Sequence, residues 1–209
     1  MKYKRFPLGP LWANGYLVWD DEGRAFFVDP GGDPEEVIEF MEKNGIQLEM
    51  ILLTHGHSDH IGGLGMLSSL TDNIYIHGDD IPLLSDSAQN LSMYTCSAPF
   101  SISLNVKQLS DGDVIRMGQL SINIIHTPGH TKGGCCFYVE TDPDPLLFSG
   151  DTLFASSIGR TDFPGGDYST LIKSLSKLSP YPDETKVLPG HGPETTLGRE
   201  RKVNPYWPR

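Results

Sequence analysis

The sequence predicts an α/β layered domain with two sheets inside and helices outside. Three observations lead there. Each half of the chain runs as strand-like segments followed by helical ones. The apolar runs are short and bounded by glycine, proline or aspartate. Four of them end in a turn that carries an imidazole or a carboxylate, where loops bear function on a rigid scaffold. At 209 residues the chain suits one domain, 1–209, with a substantial core.

The first half supplies strands over 15–19 and 25–28 and a turn at Pro30-Gly31-Gly32. Asp33-Pro34 then opens a helix that runs to Lys43-Asn44-Gly45, aspartate suiting a cap and proline the first turn. Residues 50–53 form a strand, Ser58 or Asp59 opens a helix through Leu70, and Ile74-Tyr75-Ile76 is a further short strand. Over 79–105 prolines and serines blur the pattern. A short helix within a long loop is expected there, a candidate for lining a substrate entrance. The second half gives strands over 114–117, 120–125, 134–139 and 146–148. A helix over 167–178 follows, apolar at Leu171, Ile172, Leu175 and Leu178 and stopped by Pro180, and then a last strand over 186–188.

Composition narrows the function. Hydrophobic residues at 38% and charged ones at 21% fit a soluble globular protein. A net charge of −11 argues against nucleic acid or an anionic membrane as partner. No run approaches membrane-spanning length, and the basic start Met1-Lys2-Tyr3-Lys4-Arg5 is followed by Pro7, Gly9, Pro10 and Asn14 rather than by the apolar core of a signal peptide. The cytoplasm is therefore the expected location. Three cysteines, Cys96 and the pair Cys135-Cys136, have no framework spacing, so no disulfide scaffold is expected. The pair lies in Cys135-Cys136-Phe137-Tyr138-Val139, which reads as a buried strand.

The chemistry concentrates in Thr54-His55-Gly56-His57-Ser58-Asp59-His60, three imidazoles and a carboxylate directly after Met50-Ile51-Leu52-Leu53. These donors suit zinc, iron or manganese. The segments Thr127-Pro128-Gly129-His130, Ser149-Gly150-Asp151 and Pro189-Gly190-His191 repeat the habit. His77 and His126 have no such motif and are assigned structural roles. On an extended backbone His55 and His57, two residues apart, point one way. Asp59 and His60, opening a helix, project at another angle, which suggests two metal ions rather than one.

The set His55-x-His57-x-Asp59-His60, His130, Asp151 and His191, preceded by Phe27-Val28-Asp29-Pro30-Gly31-Gly32, resembles the metallo-β-lactamase superfamily over nearly the whole chain. The resemblance implies an αβ/βα four-layer sandwich with the site at one edge of the two sheets. It implies that His55, His57 and His130 bind one divalent ion, that Asp59, His60 and His191 bind a second, and that Asp151 bridges both. Zinc is the expected metal, with iron and manganese as alternatives, and Asp59 and Asp151 become the candidate catalytic residues. Two ions about 3.5–4 Å apart hold a hydroxide and polarise a carbonyl. Asp29 has no place among the ligands and is expected to orient a ligand histidine, with Thr54 and Thr131 assisting through their hydroxyls.

Within the superfamily, Asp59 and the all-histidine inner positions are unlike true β-lactamases and similar to glyoxalase II-like (hydroxyacylglutathione hydrolase-like) thioesterases. The segments Gly150-Asp151-Thr152-Leu153-Phe154, Ile158-Gly159-Arg160-Thr161-Asp162-Phe163 and Gly198-Arg199-Glu200-Arg201-Lys202-Val203-Asn204-Pro205 resemble the compact single-domain members. The substrate implied is an S-acylglutathione such as S-lactoylglutathione, or another small acyl thiol. Arg160 and Asp162 stand where larger members carry lysine and tyrosine. Arg160 offers either a bidentate contact to a glutathione carboxylate or an ion pair with Asp162 or Asp167 in its own loop. Two other reactions stay open: a persulfide dioxygenase with one iron, similar over 159–163, and a lactone hydrolase.

Overall fold

A computed structural model of the chain describes residues 1–141 and 143–208. They fall into two compact units, Met1–Gln108 and Leu109–Arg209. In the first, strands β1 (Lys2–Leu8), β2 (Ala13–Trp19) and β3 (Arg24–Val28) lead to helix α1 (Glu35–Asn44) and strand β4 (Gln47–Leu52). Short helices α2 (Ser58–Ile61) and α3 (Leu64–Leu67) precede β5 (Ile74–His77), a 3-10 turn, α4 (Ile81–Leu84), α5 (Ser92–Thr95) and β6 (Lys107–Leu109). The strands form one sheet in sequence order. β1 to β3 pair antiparallel and β3 to β5 parallel, the switch made possible by the crossover through α1.

Three local outcomes differ from the sequence expectation. β1 forms although Pro7 lies within it, because an edge strand tolerates a residue that cannot donate to the ladder. Asp33 does not occupy the cap position of α1. Pro34 does, and the Asp33 carboxylate accepts from Glu35 N–H at 3.0 Å one step earlier. The helix expected from 58 to 70 is broken into α2 and α3 at Gly62-Gly63. There the backbone presses on the Pro30-Gly31-Gly32 turn: Gly63 N–H donates to Pro30 O at 2.7 Å, and a Cβ on Gly63 would lie 2.0 Å from Gly32 O. Phe6, Leu17, Phe27, Val37, Ile51 and Leu53 centre the apolar core of this unit.

The second unit contains β7 (Val114–Met117), β8 (Leu120–His126), β9 (Cys135–Val139), β10 (Leu146–Gly150), the small hairpin β11 (Leu153–Phe154) and β12 (Ser157–Ile158), helix α6 (Tyr168–Ser176), β13 (Lys186–Pro189), β14 (Thr195–Thr196) and helix α7 (Leu197–Val203). Its sheet order is β14-β13-β10-β9-β8-β7, with β10 and β13 parallel. Asp167 caps α6 by accepting from Thr170 N–H. Leu171, Leu175 and Leu178 are fully buried, as the apolar spacing required. Among the described residues no helix is long and apolar enough to cross a membrane.

Every residue of β9 is buried, Cys135 and Cys136 included, and burial pushes the Cys136 thiol up to about 11. Cys96 is only half-buried. Titration of the native protein with a maleimide near pH 8 is therefore expected to label Cys96 alone, with Cys135 and Cys136 reacting only after denaturation. Rapid labelling of more than one thiol in the folded state would contradict this burial.

Candidate metal centre

In the first unit the cluster starts where β4 ends. Its backbone runs extended through His57 into α2, and His55, His57 and His60 are 2%, 3% and 0% exposed. The His55 ring lies 4.0 Å from that of His60 and 4.8 Å from that of His57, centroid to centroid. Gly56 is required between the first two histidines, since a Cβ there would meet Leu83 Cβ at 2.7 Å. Its N–H donates to buried Asp80 at 3.0 Å, a contact from a distant turn that the sequence did not signal.

Asp29 follows β3 in a left-handed conformation (φ 54°) and turns its carboxylate inward. One oxygen accepts from Thr54 N–H at 2.7 Å. The other accepts from Thr54 Oγ1 at 2.6 Å and from His60 Nδ1 at 2.9 Å. The histidine that the Asp29 carboxylate contacts is His60. These bonds fix tautomers. Thr54 gives its one hydroxyl proton to Asp29, so at 3.1 Å it accepts from His55 Nδ1–H. Neutral His55 and His60 both carry the proton on Nδ1 and present Nε2 as the electron-pair donor. His60 Nε2 is 3.8 Å from Asp59 Oδ2.

In the second unit three strand ends deliver the remaining candidates. His130 follows β8 through Gly129, whose φ of 129° brings its backbone against α6, where a Cβ would lie 2.4 Å from Leu171 N. Ser174 of α6 donates to Pro128 O and steadies the same turn. Asp151 and His191 follow the parallel neighbours β10 and β13, joined beyond their ends by Gly190 N–H to Gly150 O at 2.9 Å. One Asp151 oxygen, Oδ2, is 3.5 Å from His130 Nε2 and 3.7 Å from His191 Nε2. Those separations are long for hydrogen bonds. Each matches the separation of a pair of ligands that share an ion, about 3.4 Å when each bond is about 2.1 Å and the geometry tetrahedral.

His130 Nδ1 donates to the main-chain carbonyl of Arg160 at 2.7 Å, which again turns Nε2 inward. Gly159 allows this approach, because a Cβ on it would lie 1.9 Å from Asp151 O. The Arg160 guanidinium grips Asp162 through Nε and Nη2, both at 2.7 Å, and stacks on Phe163. Of the two partners weighed from sequence it holds Asp162, while Asp167 caps α6. The Arg160 hydrogen bonds hold the Asp162 carboxyl down at about 2. His126 Nε2 lies 2.8 Å from Lys132 O, and His77 Nδ1 accepts from Asp79 N–H at 3.3 Å.

The donor chemistry of both units thus fits divalent metal: His55, His60 and His130 have Nδ1 bonded elsewhere, and carboxylates lie near the Nε2 atoms of His60, His130 and His191. The sequence model of the metallo-β-lactamase superfamily matches residues 8–191, from the end of β1 through the last candidate histidine. The chain belongs to the metallo-β-lactamase superfamily. Among its relatives in that superfamily is the hydroxyacylglutathione hydrolase GloC of Haemophilus influenzae, 36% identical over 99% of this chain and 98% of that protein. The crystal structure of the BLEG-1 B3 metallo-β-lactamase superposes with a TM-score of 0.91 at 36% identity, covering 98% of this chain and 99% of the other. That of TTHA1623 in a di-iron-bound form gives 0.83 at 38% identity, covering 97% and 99%. The fold is the metallo-β-lactamase fold, as the sequence predicted.

Proposed function

We propose that this superfamily member is a metal-dependent thioester hydrolase of the glyoxalase II-like branch, acting on an S-acylglutathione such as S-lactoylglutathione or on another small acyl thiol. One observation carries the reading: a single Asp151 oxygen stands at ligand distance from two different histidines, His130 and His191. An oxygen so placed suits a ligand shared by two ions, and a pair of ions suits hydrolysis of an acyl group. In this proposal, as membership of the superfamily implies, His55, His57 and His130 hold one ion, Asp59, His60 and His191 the other, and Asp151 serves both. The likeness to GloC supports the thioester, and the di-iron relative supports a pair of ions while leaving zinc, iron and manganese as candidates.

Bound divalent ions would supply an activated water and a Lewis acid for the thioester carbonyl. The chain contributes the rest. Asp29 and Thr54 hold His60 and His55 in one tautomer, and the Arg160 carbonyl does so for His130. Asp59 and Asp151 are the carboxylates that take up the proton water gives up as its oxygen adds to the carbonyl carbon. The C–S bond then breaks and the departing thiolate recovers a proton, so the products are a carboxylic acid and a thiol. Metal analysis beside a panel of thioesters, lactones and persulfides tests the reading. About two ions per chain with thioester cleavage is expected. One iron with oxygen uptake on glutathione persulfide would replace it with the dioxygenase, and opening of lactones alone with the lactonase.

Two smaller effects follow. Asp29→Asn removes the carboxylate that holds Thr54 and His60, and metal affinity measured against a competing chelator should fall about 10–100-fold. Unchanged affinity would show that Asp29 serves only the fold. Arg160→Ala should raise KM for glutathione thioesters about two- to fivefold, the scale of an exposed charge contact, and leave KM for an uncharged acyl thiol where it was. An equal rise for both would remove Arg160 from substrate binding.

A further inference from the structure

Within the first unit a cavity of about 190 Å³ opens beside Asp59. Pro10, Leu11, Cys96 and Phe100 supply apolar walls, Thr95 and Ser58 supply hydroxyls, and the backbone of Gly31 and Gly62 completes the lining. We propose that this cavity receives the acyl chain of the substrate and selects an apolar acyl group of up to about six carbons over a hydroxylated one such as lactoyl. The proposal rests on the thioesterase reading above and names the substrate class of the same site.

Size, polarity and position point the same way. An apolar cavity of about 150 Å³ takes a benzene molecule, so this one suits a group of about six carbons. Its hydroxyls have already committed their protons. Thr95 Oγ1 donates to Leu91 O at 2.9 Å, so Ser58 Oγ, 2.9 Å from Thr95 Oγ1, donates to Thr95. A substrate hydroxyl entering here exchanges water for an acceptor such as Ser58 Oγ or Asp59 and gains little, whereas each apolar carbon gains by leaving water. Asp59 lines the cavity and also belongs to the candidate metal set, so an acyl group whose carbonyl lies at that set has this cavity beside it. The segments that form the walls also carry Trp12, Met93 and Tyr94 at 73%, 50% and 73% exposure, apolar surface of the kind that surrounds binding sites. Hydrogen bonds hold the segments that carry Ser58 and Phe100. Asn90 O accepts from Ser58 N–H at 2.7 Å, and Phe100 O accepts from Asn90 Nδ2 and Ser92 Oγ.

Cys96 provides a readout independent of turnover. In the metal-loaded protein, alkylation of Cys96 by iodoacetamide should slow at least fivefold when hexanoate is present and stay unchanged with equal acetate. In the steady state, kcat/KM for S-acylglutathiones should rise about fourfold per methylene from acetyl to hexanoyl and exceed that for lactoyl. Cys96→Phe, which narrows the cavity, should lower the hexanoyl-to-acetyl ratio at least tenfold. Equal alkylation rates with hexanoate and acetate overturn the proposal whether or not the variant folds. Thioester cleavage indifferent to chain length overturns it too and leaves the hydrolase reading standing. Absence of all thioester cleavage ends the hydrolase reading, and hexanoate protection of Cys96 then still decides whether the cavity binds an apolar chain.

Discussion

Asp151→Asn is expected to lower thioester turnover about 10³-fold or more and to reduce bound metal from about two ions per chain to one or fewer. The expectation follows from the position of Oδ2, which stands 3.5 Å and 3.7 Å from two histidine nitrogens. In the proposed centre one side chain serves both ions, so its loss weakens both together. A pair of ions contributes several kcal/mol of charge stabilisation to an acyl transfer, and each 1.36 kcal/mol is a factor of ten in rate. Asparagine keeps the shape and removes the charge, so circular dichroism should be unchanged while metal content and kcat fall. Two ions retained at wild-type kcat would remove Asp151 from the centre. A normal metal content with kcat alone reduced would restrict it to proton handling.

The largest expected loss of stability lies away from the donors. Glu200 of α7 is fully buried. Its carboxylate accepts from Thr195 Oγ1 and Ser156 N–H at 2.7 Å, from Arg199 Nη1 at 2.6 Å and from Asn204 Nδ2 at 2.9 Å. Glu200→Ala strips an acceptor from several buried donors at once. It should cost about 3–5 kcal/mol, or roughly 10 °C in Tm for a chain of this length. Burial alone would push the Glu200 carboxyl up, but the hydrogen bonds from Thr195, Ser156, Asn204 and Arg199 outweigh it and hold the group below its ordinary 4.5. A depressed folded-state value means that this stabilisation is complete above about pH 4.5 and fades as pH falls through the lower folded value. The stability difference between wild type and Glu200→Gln should therefore be constant near neutrality and shrink on acidification below 4.5. A difference that grows towards acid would reverse the assigned charge state.

The donor set was legible because metal ligands must be particular residue types, and because turns at strand ends leave a glycine signature around His55, His130, Asp151 and His191. Asp29 was legible for a related reason, a carboxylate in a turn beside that cluster with no ligand role. In the second unit the longer strands and helix α6 were legible from apolar runs and spacing, while the two-residue strands β11, β12 and β14 and helix α7 were not expected. What stayed hidden depends on contacts between distant segments. The paired glycines at 62 and 63 are a local sign of a break, but its cause, the approach to Pro30 and Gly32, lies in a distant segment. Asp80 reaches Gly56 across 24 positions. The acyl cavity joins residues 10–11, 31–32, 58–62 and 95–100, segments too far apart for any spacing rule. Strand β1 was not expected for a simpler reason: whether a strand containing a proline lies at a sheet edge is a property of the sheet, not of the strand.

The main-chain oxygen of Arg160 that holds His130 has an evolutionary corollary. A carbonyl persists whatever side chain its residue carries, so position 160 is free to mutate without disturbing the imidazole, provided Gly159 keeps the loop in place. The same residue thus lends its backbone to the donor set and its side chain to the surface near the loop. Descendants of this chain can exchange that side chain in a single step while the carbonyl contact to His130 is kept.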